Sequence, residues 1–213
     1  MHPEKKASVL VGVAILVTIG TSACGWFPTK SKGEKATQND VGLAGQWRDS
    51  CTKLDWFGFA YQQVTQKFSA VGDFEKTKYL YSDENCSNKI GTLVESGTYD
   101  SLGGSTTVNG VKNINFTITK ATVSAGSDDA AALLNNISYC GIETWKTGEV
   151  NDVLGKTCAG ATHAAGEVVF DVYRVDMDGK RLTTGKGTLF LNKTEASARP
   201  ESLDETHIYT KVE

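Results

Sequence analysis

Five cysteines carry the most versatile chemistry in this 213-residue sequence. One of them, Cys24, follows a short apolar segment near the start of the chain. The other four form an even set, and four thiols can be joined into two disulfides in three ways. Because pairs that are consecutive in sequence close local loops between neighbouring strands, we expect bonds between Cys51 and Cys86 and between Cys140 and Cys158.

A metal site is the alternative use of such residues, and their spacing argues against it. Zinc sites favour closely spaced ligands such as a Cys-x-x-Cys pair, which the sequence lacks, and His163 is the one histidine near these thiols. Asp176 and Asp178 resemble the start of a calcium loop, but Gly187 stands where that loop needs a bidentate acid. We therefore expect no metal and no cofactor, and we predict a hairpin turn at residues 176–179.

Catalytic residues are not apparent. A nucleophile needs a base beside it, and only His163 and His207 follow the apolar segment. Neither histidine has a Gly-x-Ser-x-Gly motif or a recognisable acidic partner nearby, so we predict that the protein is not an enzyme. Glycoside hydrolysis by a pair of carboxylates stays an open alternative, because the two residues of such a pair come together only in the folded structure and leave no motif in the sequence. The net charge of −3 and the lack of basic runs argue against a nucleic-acid partner.

The first 24 residues show a positively charged start, an apolar run and a small-residue region. Lys5 and Lys6 precede the run from Val9 to Gly20, which is shorter than the roughly 20 residues that cross a bilayer. This order is typical of a secretory signal, so residues 1–23 are predicted to be a helical signal peptide. Its removal changes the net charge from −3 to about −4, because it carries two lysines and one glutamate.

Ser22, Ala23 and Cys24 resemble the lipobox of bacterial lipoproteins, although Thr21 stands where leucine is most frequent. The resemblance implies that the Cys24 thiol takes a diacylglycerol, that signal peptidase II cuts before this residue, and that the new amino group can be acylated too. Two or three acyl chains make release from a membrane negligible. It also implies a place in the bacterial cell envelope. Gly25 after the cysteine favours the outer membrane, with the domain in the periplasm or at the cell surface.

The rest of the sequence is typical of a single β domain. Residues 24–40 are predicted to be a flexible tether because they have little apolar content, and residues 41–213 contain no repeat or linker. Asn109-Gly110 predicts a tight hairpin turn. A short helix is predicted near residues 127–136, with Ser127 as its cap. Short β-favouring runs predict about eight to ten antiparallel strands, most clearly at residues 74–81, 111–119, 167–175 and 207–212.

Gly45-Gln46-Trp47 resembles the Gly-x-Trp signature of lipocalins, in which the tryptophan fills the floor of the barrel. Trp47-x-x-x-Cys51 and Tyr81-x-Asp83-x-x-Cys86 are also similar to lipocalin-like repeats of secreted Wnt-pathway inhibitors. The resemblance implies an up-and-down barrel or half-barrel with a lipid-accommodating face, and it supports the bond between Cys51 and Cys86. We therefore expect a small apolar or amphipathic ligand. The alternative is a structural or protein-interaction lipoprotein with a solid core.

Overall fold

The computed structural model describes residues 40, 42–56, 59–105, 110–158, 161–162, 164–186 and 194–213. These residues belong to a compact unit that spans Glu34–Glu213. The predicted signal helix, Cys24, the tether up to residue 39, the turn residue Asn109, His163 and Gly187 lie outside the described residues.

The described part of the chain is mainly β, with one α-helix and two short 3-10 turns. Helix α1 spans Asp128–Asn136, and the 3-10 turns span Tyr139–Gly141 and Ala196–Ala198. The strands are β1 (Gly45–Arg48), β2 (Thr52–Trp56), β3 (Phe59–Phe68), β4 (Asp73–Tyr81), β5 (Lys89–Gly104), β6 (Lys112–Ala125), β7 (Val150–Asp152), β8 (Thr157–Cys158), β9 (Ala161–Thr162), β10 (Val168–Val175), β11 (Arg181–Gly185) and β12 (Leu203–Val212).

Eight of these strands close into an antiparallel barrel, which confirms the predicted lipocalin-like fold class. Their order around the barrel is β1-β12-β11-β10-β6-β5-β4-β3, and β3 pairs again with β1 to complete the ring. Strand β2 continues the sheet beside β3, and β7 continues it beside β6. The sheet therefore extends past the closed ring on the side formed by β3 to β6.

Alternation along each strand decides which side chains face the interior. Ile114, Phe116 and Ile118 share the inward face of β6, as their spacing predicts, and all three pack in the barrel core. The Phe116 ring lies 4.8 Å from the ring of Phe74 on β4, with the two planes inclined by 62°. A fully buried aromatic or aliphatic side chain of this kind contributes roughly 1.5–3 kcal/mol.

The end of the barrel at which the chain enters is closed by packed side chains. Trp47 and Leu43 are 0% exposed, and Trp47 Nε1 donates a hydrogen bond of 2.8 Å to the Leu43 carbonyl. The Lys211 ammonium lies 5.1 Å from the centre of the Trp47 ring. Gly45 has φ 133°, and a Cβ there would lie 2.9 Å from Lys211 Cε. Glycine therefore lets the lysine cross the strand and cover the indole.

Helix α1 and the segment after it cover the inward face of the sheet at the opposite end. Ser127 caps the helix as predicted, because its Oγ accepts a hydrogen bond of 3.2 Å from Ala130 N. The Asn135 side chain holds the following segment through bonds of 2.6 Å and 3.1 Å to the main chain of Trp145. The buried residues that join this cover to the sheet are Leu54, Leu80, Ala121, Val123, Ala125, Ala130, Ala131, Leu134, Tyr139, Cys140, Trp145 and Val153.

Two disulfides join loops at this covered end, and both have the predicted pairing. Cys51 bonds to Cys86, with their Cα atoms 5.8 Å apart, and links the turn after β1 to the loop after β4. Cys140 bonds to Cys158, with a Cα separation of 4.2 Å, and ties a 3-10 turn to β8. Structural disulfides persist in oxidising compartments, so the two bonds indicate a non-cytoplasmic location.

Candidate functional site

A band of polar side chains lies inside the barrel, between the closed end and the covered end. Its residues are paired on adjacent strands: Lys76 on β4 lies directly beside Gln66 on β3 and beside Glu95 on β5. We call this band the polar layer. Its members are Asp49, Gln62, Gln66, Lys76, Lys78, Glu95 and Tyr209.

Asp49 directly follows β1 and is 5% exposed. Its Oδ1 accepts a hydrogen bond of 2.6 Å from Val64 N on β3. Burial raises the pKa of this carboxyl from 3.8 to about 6, because it outweighs the bond from Val64 and the attraction of His207 and Lys76. Asp49 therefore takes up a proton far more readily than a solvated aspartate.

Lys78 and Tyr209 are buried in the same layer. Burial, together with repulsion from Lys76, lowers the pKa of Lys78 from 10.5 to about 7, against the attraction of Glu95 and Asp49. Burial also raises the pKa of the Tyr209 hydroxyl, and the charge of Asp49 adds to that effect. Two lysines and two carboxylates give the polar layer a formal charge of zero when all four are ionised.

Three buried polar atoms in and beside the polar layer have no hydrogen-bond partner among the described residues. They are Asp49 Oδ2, Thr52 Oγ1 and Gln62 Oε1, and we call them the orphan cluster. Thr52 lies directly opposite Gln62, and Asp49 bonds to Val64, two residues along β3 from Gln62. A buried polar atom left unpaired costs about 1–3 kcal/mol, so three together at one corner of the barrel are unfavourable unless a partner satisfies them.

The covering segment contributes a buried polar atom of the opposite kind. Trp145 is 2% exposed, and its Nε1, a donor, has no partner among the described residues. Trp145 packs in the same cluster as Leu54 and Leu80. These two leucines stand next to the orphan cluster, because Leu54 lies two residues beyond Thr52 on β2 and Leu80 lies opposite Gln62.

A mostly apolar wall, in which Gly91 leaves a gap between larger side chains, lies between the polar layer and α1. A cavity of about 10 Å³ separates this wall from the helix, which is room for about one water molecule. Gly91 widens the space, because a Cβ there would lie only 3.3 Å from Leu80 Cδ1. The cavity is lined by Leu80, Ile90, Gly91, Leu93, Val123, Ser124, Leu134 and Tyr139.

The structure gives His207 an acidic partner, contrary to the sequence analysis, which recognised none. His207 Nδ1 lies 2.8 Å from Asp204 Oδ2. Burial raises the pKa of Asp204, but hydrogen bonds from Thr206 and His207 outweigh it, and the pKa falls below 3.8. Asp204 stands only three residues before His207, on the same strand, so the sequence did contain this signal.

Asp176 and Asp178 form the predicted hairpin turn between β10 and β11. Asp176 Oδ1 accepts hydrogen bonds of 3.0 Å from the main-chain N–H groups of Lys180 and Arg181. These bonds stabilise the turn. Within the described ranges, no three histidine, cysteine, aspartate or glutamate side chains come together in a group able to hold a metal ion.

The described residues thus define a closed antiparallel barrel with one packed end, one covered end and a polar interior. No family model matches the chain, and no match is found among curated proteins. In the part of the chain that the structure describes, every helix is too short or too polar to cross a bilayer.

Proposed function

We propose that this protein is a lipoprotein of the bacterial cell envelope, held on the membrane through Cys24, whose barrel binds a small amphipathic ligand. The lipobox-like residues Ser22 to Cys24 support the anchor. The two disulfides support an exported location. The barrel supports the binding role, because closed antiparallel barrels of this size are able to enclose one small molecule.

The observation that carries the binding role is the orphan cluster beside an apolar wall. Ligand sites in proteins combine apolar surfaces with a few converging polar groups. Asp49 Oδ2 and Gln62 Oε1 provide such groups, and Leu80 and Gly91 begin the apolar surface next to them. An amphipathic ligand matches this arrangement: its polar end bonds to the orphan cluster, and its apolar part lies against the wall.

Binding of this kind requires α1 to move outward, because the present cavity of about 10 Å³ holds only about one water. The buried face of the helix is small. It consists of Ala130, Ala131 and Leu134, and alanine side chains bury little apolar area. An apolar ligand chain that replaces these contacts restores the free energy of burial, which is about 25 cal/mol per Å² of apolar surface.

Native mass spectrometry of the exported chain, residues 25–213, tests the proposal. This chain contains the whole compact unit from Glu34 to Glu213. After purification without detergent, we expect a co-purifying lipid or, if the ligand is lost, uptake of an added apolar dye. A protein that carries no ligand and takes up no dye would refute the binding role.

Two matched variants locate the ligand in that experiment. Gly91→Leu places a side chain into the space between β5 and α1, and we expect it to abolish the ligand. Thr92→Leu changes the next residue, which faces the opposite side of the sheet, and should leave the ligand in place. Equal effects of the two variants would contradict a site under α1, provided that thermal unfolding shows both to be folded.

The membrane anchor has a separate test. Cys24→Ala is expected to abolish acyl labelling and to leave uncleaved precursor. Unchanged processing and unchanged membrane retention in this variant would refute lipidation at Cys24.

The packing of the closed end favours a second candidate, an interaction lipoprotein with a solid core. Trp47, Leu43, Tyr173 and Leu182 are almost completely buried there and fill that half of the barrel. On this alternative the orphan cluster bonds only to water. A ligand-free protein in the native mass spectrum favours it over the first candidate.

A further inference from the structure

The buried polar atoms without a partner in the orphan cluster and in the covering segment include both acceptors and a donor. Asp49 Oδ2 and Gln62 Oε1 only accept hydrogen bonds while Asp49 is ionised, Thr52 Oγ1 both donates and accepts, and Trp145 Nε1 only donates. Asp49 is 5% exposed, Gln62 4% and Trp145 2%, so bulk water does not reach these side chains freely. A single molecule that satisfies all of them offers donors and acceptors together.

The charge around these atoms restricts the partner further. Asp49 and Glu95 stand with Lys76 and Lys78 in the polar layer, so both carboxylates and amino groups are present there. A cationic group brought into this layer meets two lysines, and an anionic group meets two carboxylates. Moving an isolated ion out of water is expensive unless a net opposite charge awaits it. A neutral polar group avoids that penalty.

We infer that the barrel is selective for neutral, hydroxyl-bearing amphiphiles, such as a monoacylglycerol, with the hydroxyl groups bonded to Asp49 and Gln62. This inference deepens the proposed function and rests on it. Hydroxyl groups donate to the two acceptors and accept from Trp145 Nε1. A carboxylate offers no donor, and an ammonium group offers no acceptor. The acyl chain lies against the wall formed by Leu80 and Gly91.

The experiment compares three probes with the same twelve-carbon length and different heads: 1-monolauroylglycerol, laurate and dodecylammonium. Each is titrated calorimetrically, below its micelle concentration, into the exported chain at neutral pH. We expect the glyceride to bind at least about tenfold more tightly than either ion, which corresponds to about 1.4 kcal/mol. Equal affinities, or tighter binding of an ion, would overturn the inference and leave the barrel's binding role intact. Binding of none of the three would overturn both.

The variant Asp49→Asn tests whether Asp49 determines the preference for the neutral head group. The amide keeps a carbonyl oxygen for Val64 N, replaces the Oδ2 acceptor by a donor, and removes one negative charge from the polar layer. We expect the preference for glyceride over laurate to fall at least about tenfold in this variant. Asp100→Asn, at an exposed position on the outward face of β5, is the matched control and should keep the preference.

Gln62→Leu removes the second acceptor without adding charge, and it guards against misfolding of the Asp49 variant. This variant should bind the glyceride more weakly and should bind laurate with unchanged affinity. If both variants keep the original preference while circular dichroism shows them folded, the orphan cluster does not bind the head group and the inference is wrong.

Discussion

Replacing Asp49 by asparagine should stabilise the fold at neutral pH, although it removes a buried charge that forms a hydrogen bond. The folded state holds the proton of Asp49 more tightly than the unfolded chain does, with a pKa of about 6 against 3.8. The stabilising effect of protonation is therefore fully present below pH 3.8 and is lost as the pH rises through about 6. The difference between the two values corresponds to about 3 kcal/mol.

Urea unfolding with the disulfides intact, from about pH 4 to about pH 7.5, measures this effect. An asparagine accepts the same hydrogen bond from Val64 N, so the variant loses little else. We expect the free energy of unfolding of Asp49→Asn to exceed that of the parent by about 3 kcal/mol at the upper pH and by only about 0.5 kcal/mol at the lower pH. Asp100→Asn should follow the parent throughout. A variant less stable than the parent at neutral pH, or a difference that does not change with pH, would refute the reasoning.

Two further predictions concern the disulfides and the closed end. Replacing Cys51 and Cys86 by serine should lower the free energy of unfolding, measured by thermal unfolding, by about 4 kcal/mol, because the bond spans 35 residues. Replacing Cys140 and Cys158 should lower it by about 3 kcal/mol, because that bond spans 18 residues. The reverse order would contradict the loop-entropy argument. Trp47→Ala should lower the free energy of unfolding in urea by about 3–5 kcal/mol, because it opens a large cavity at a fully buried position. A loss below about 1 kcal/mol would show that the side chains of the closed end rearrange to fill the cavity.

Local signals made several elements predictable from the sequence. Ser127 followed by two aspartates gives a capped helix, and the structure has its cap at that serine. The alternation of Ile114, Phe116 and Ile118 gives a strand with one core-facing side, and all three side chains pack in the core. The turn at Asp176 depends on side-chain bonds to nearby main-chain groups, which sequence spacing reflects directly.

The polar layer was not predictable from the same rules. In β4, Phe74, Lys76, Lys78 and Leu80 share one face, and the rule that polar residues face solvent places the two lysines outward. The buried position of Lys78 follows instead from the closed ring, which turns this whole face inward.

The orphan cluster depends on long-range register. Thr52 meets Gln62 only because β2 pairs with β3 in one alignment, with an irregularity further along the pair. Asp49 joins them because its carboxylate bonds to Val64, fifteen residues later. Register between strands is set by tertiary packing, so sequence spacing alone did not bring these residues together.

A crystal structure of the exported chain with 1-monolauroylglycerol tests the central claim, that the barrel binds a small amphipathic ligand, most directly. We predict glycerol oxygens within about 3.2 Å of Asp49 Oδ2 and Gln62 Oε1, with the acyl chain between Gly91 and a displaced α1. A barrel without ligand in which α1 keeps its contacts with Leu80 and the orphan cluster bonds only to water would contradict the account.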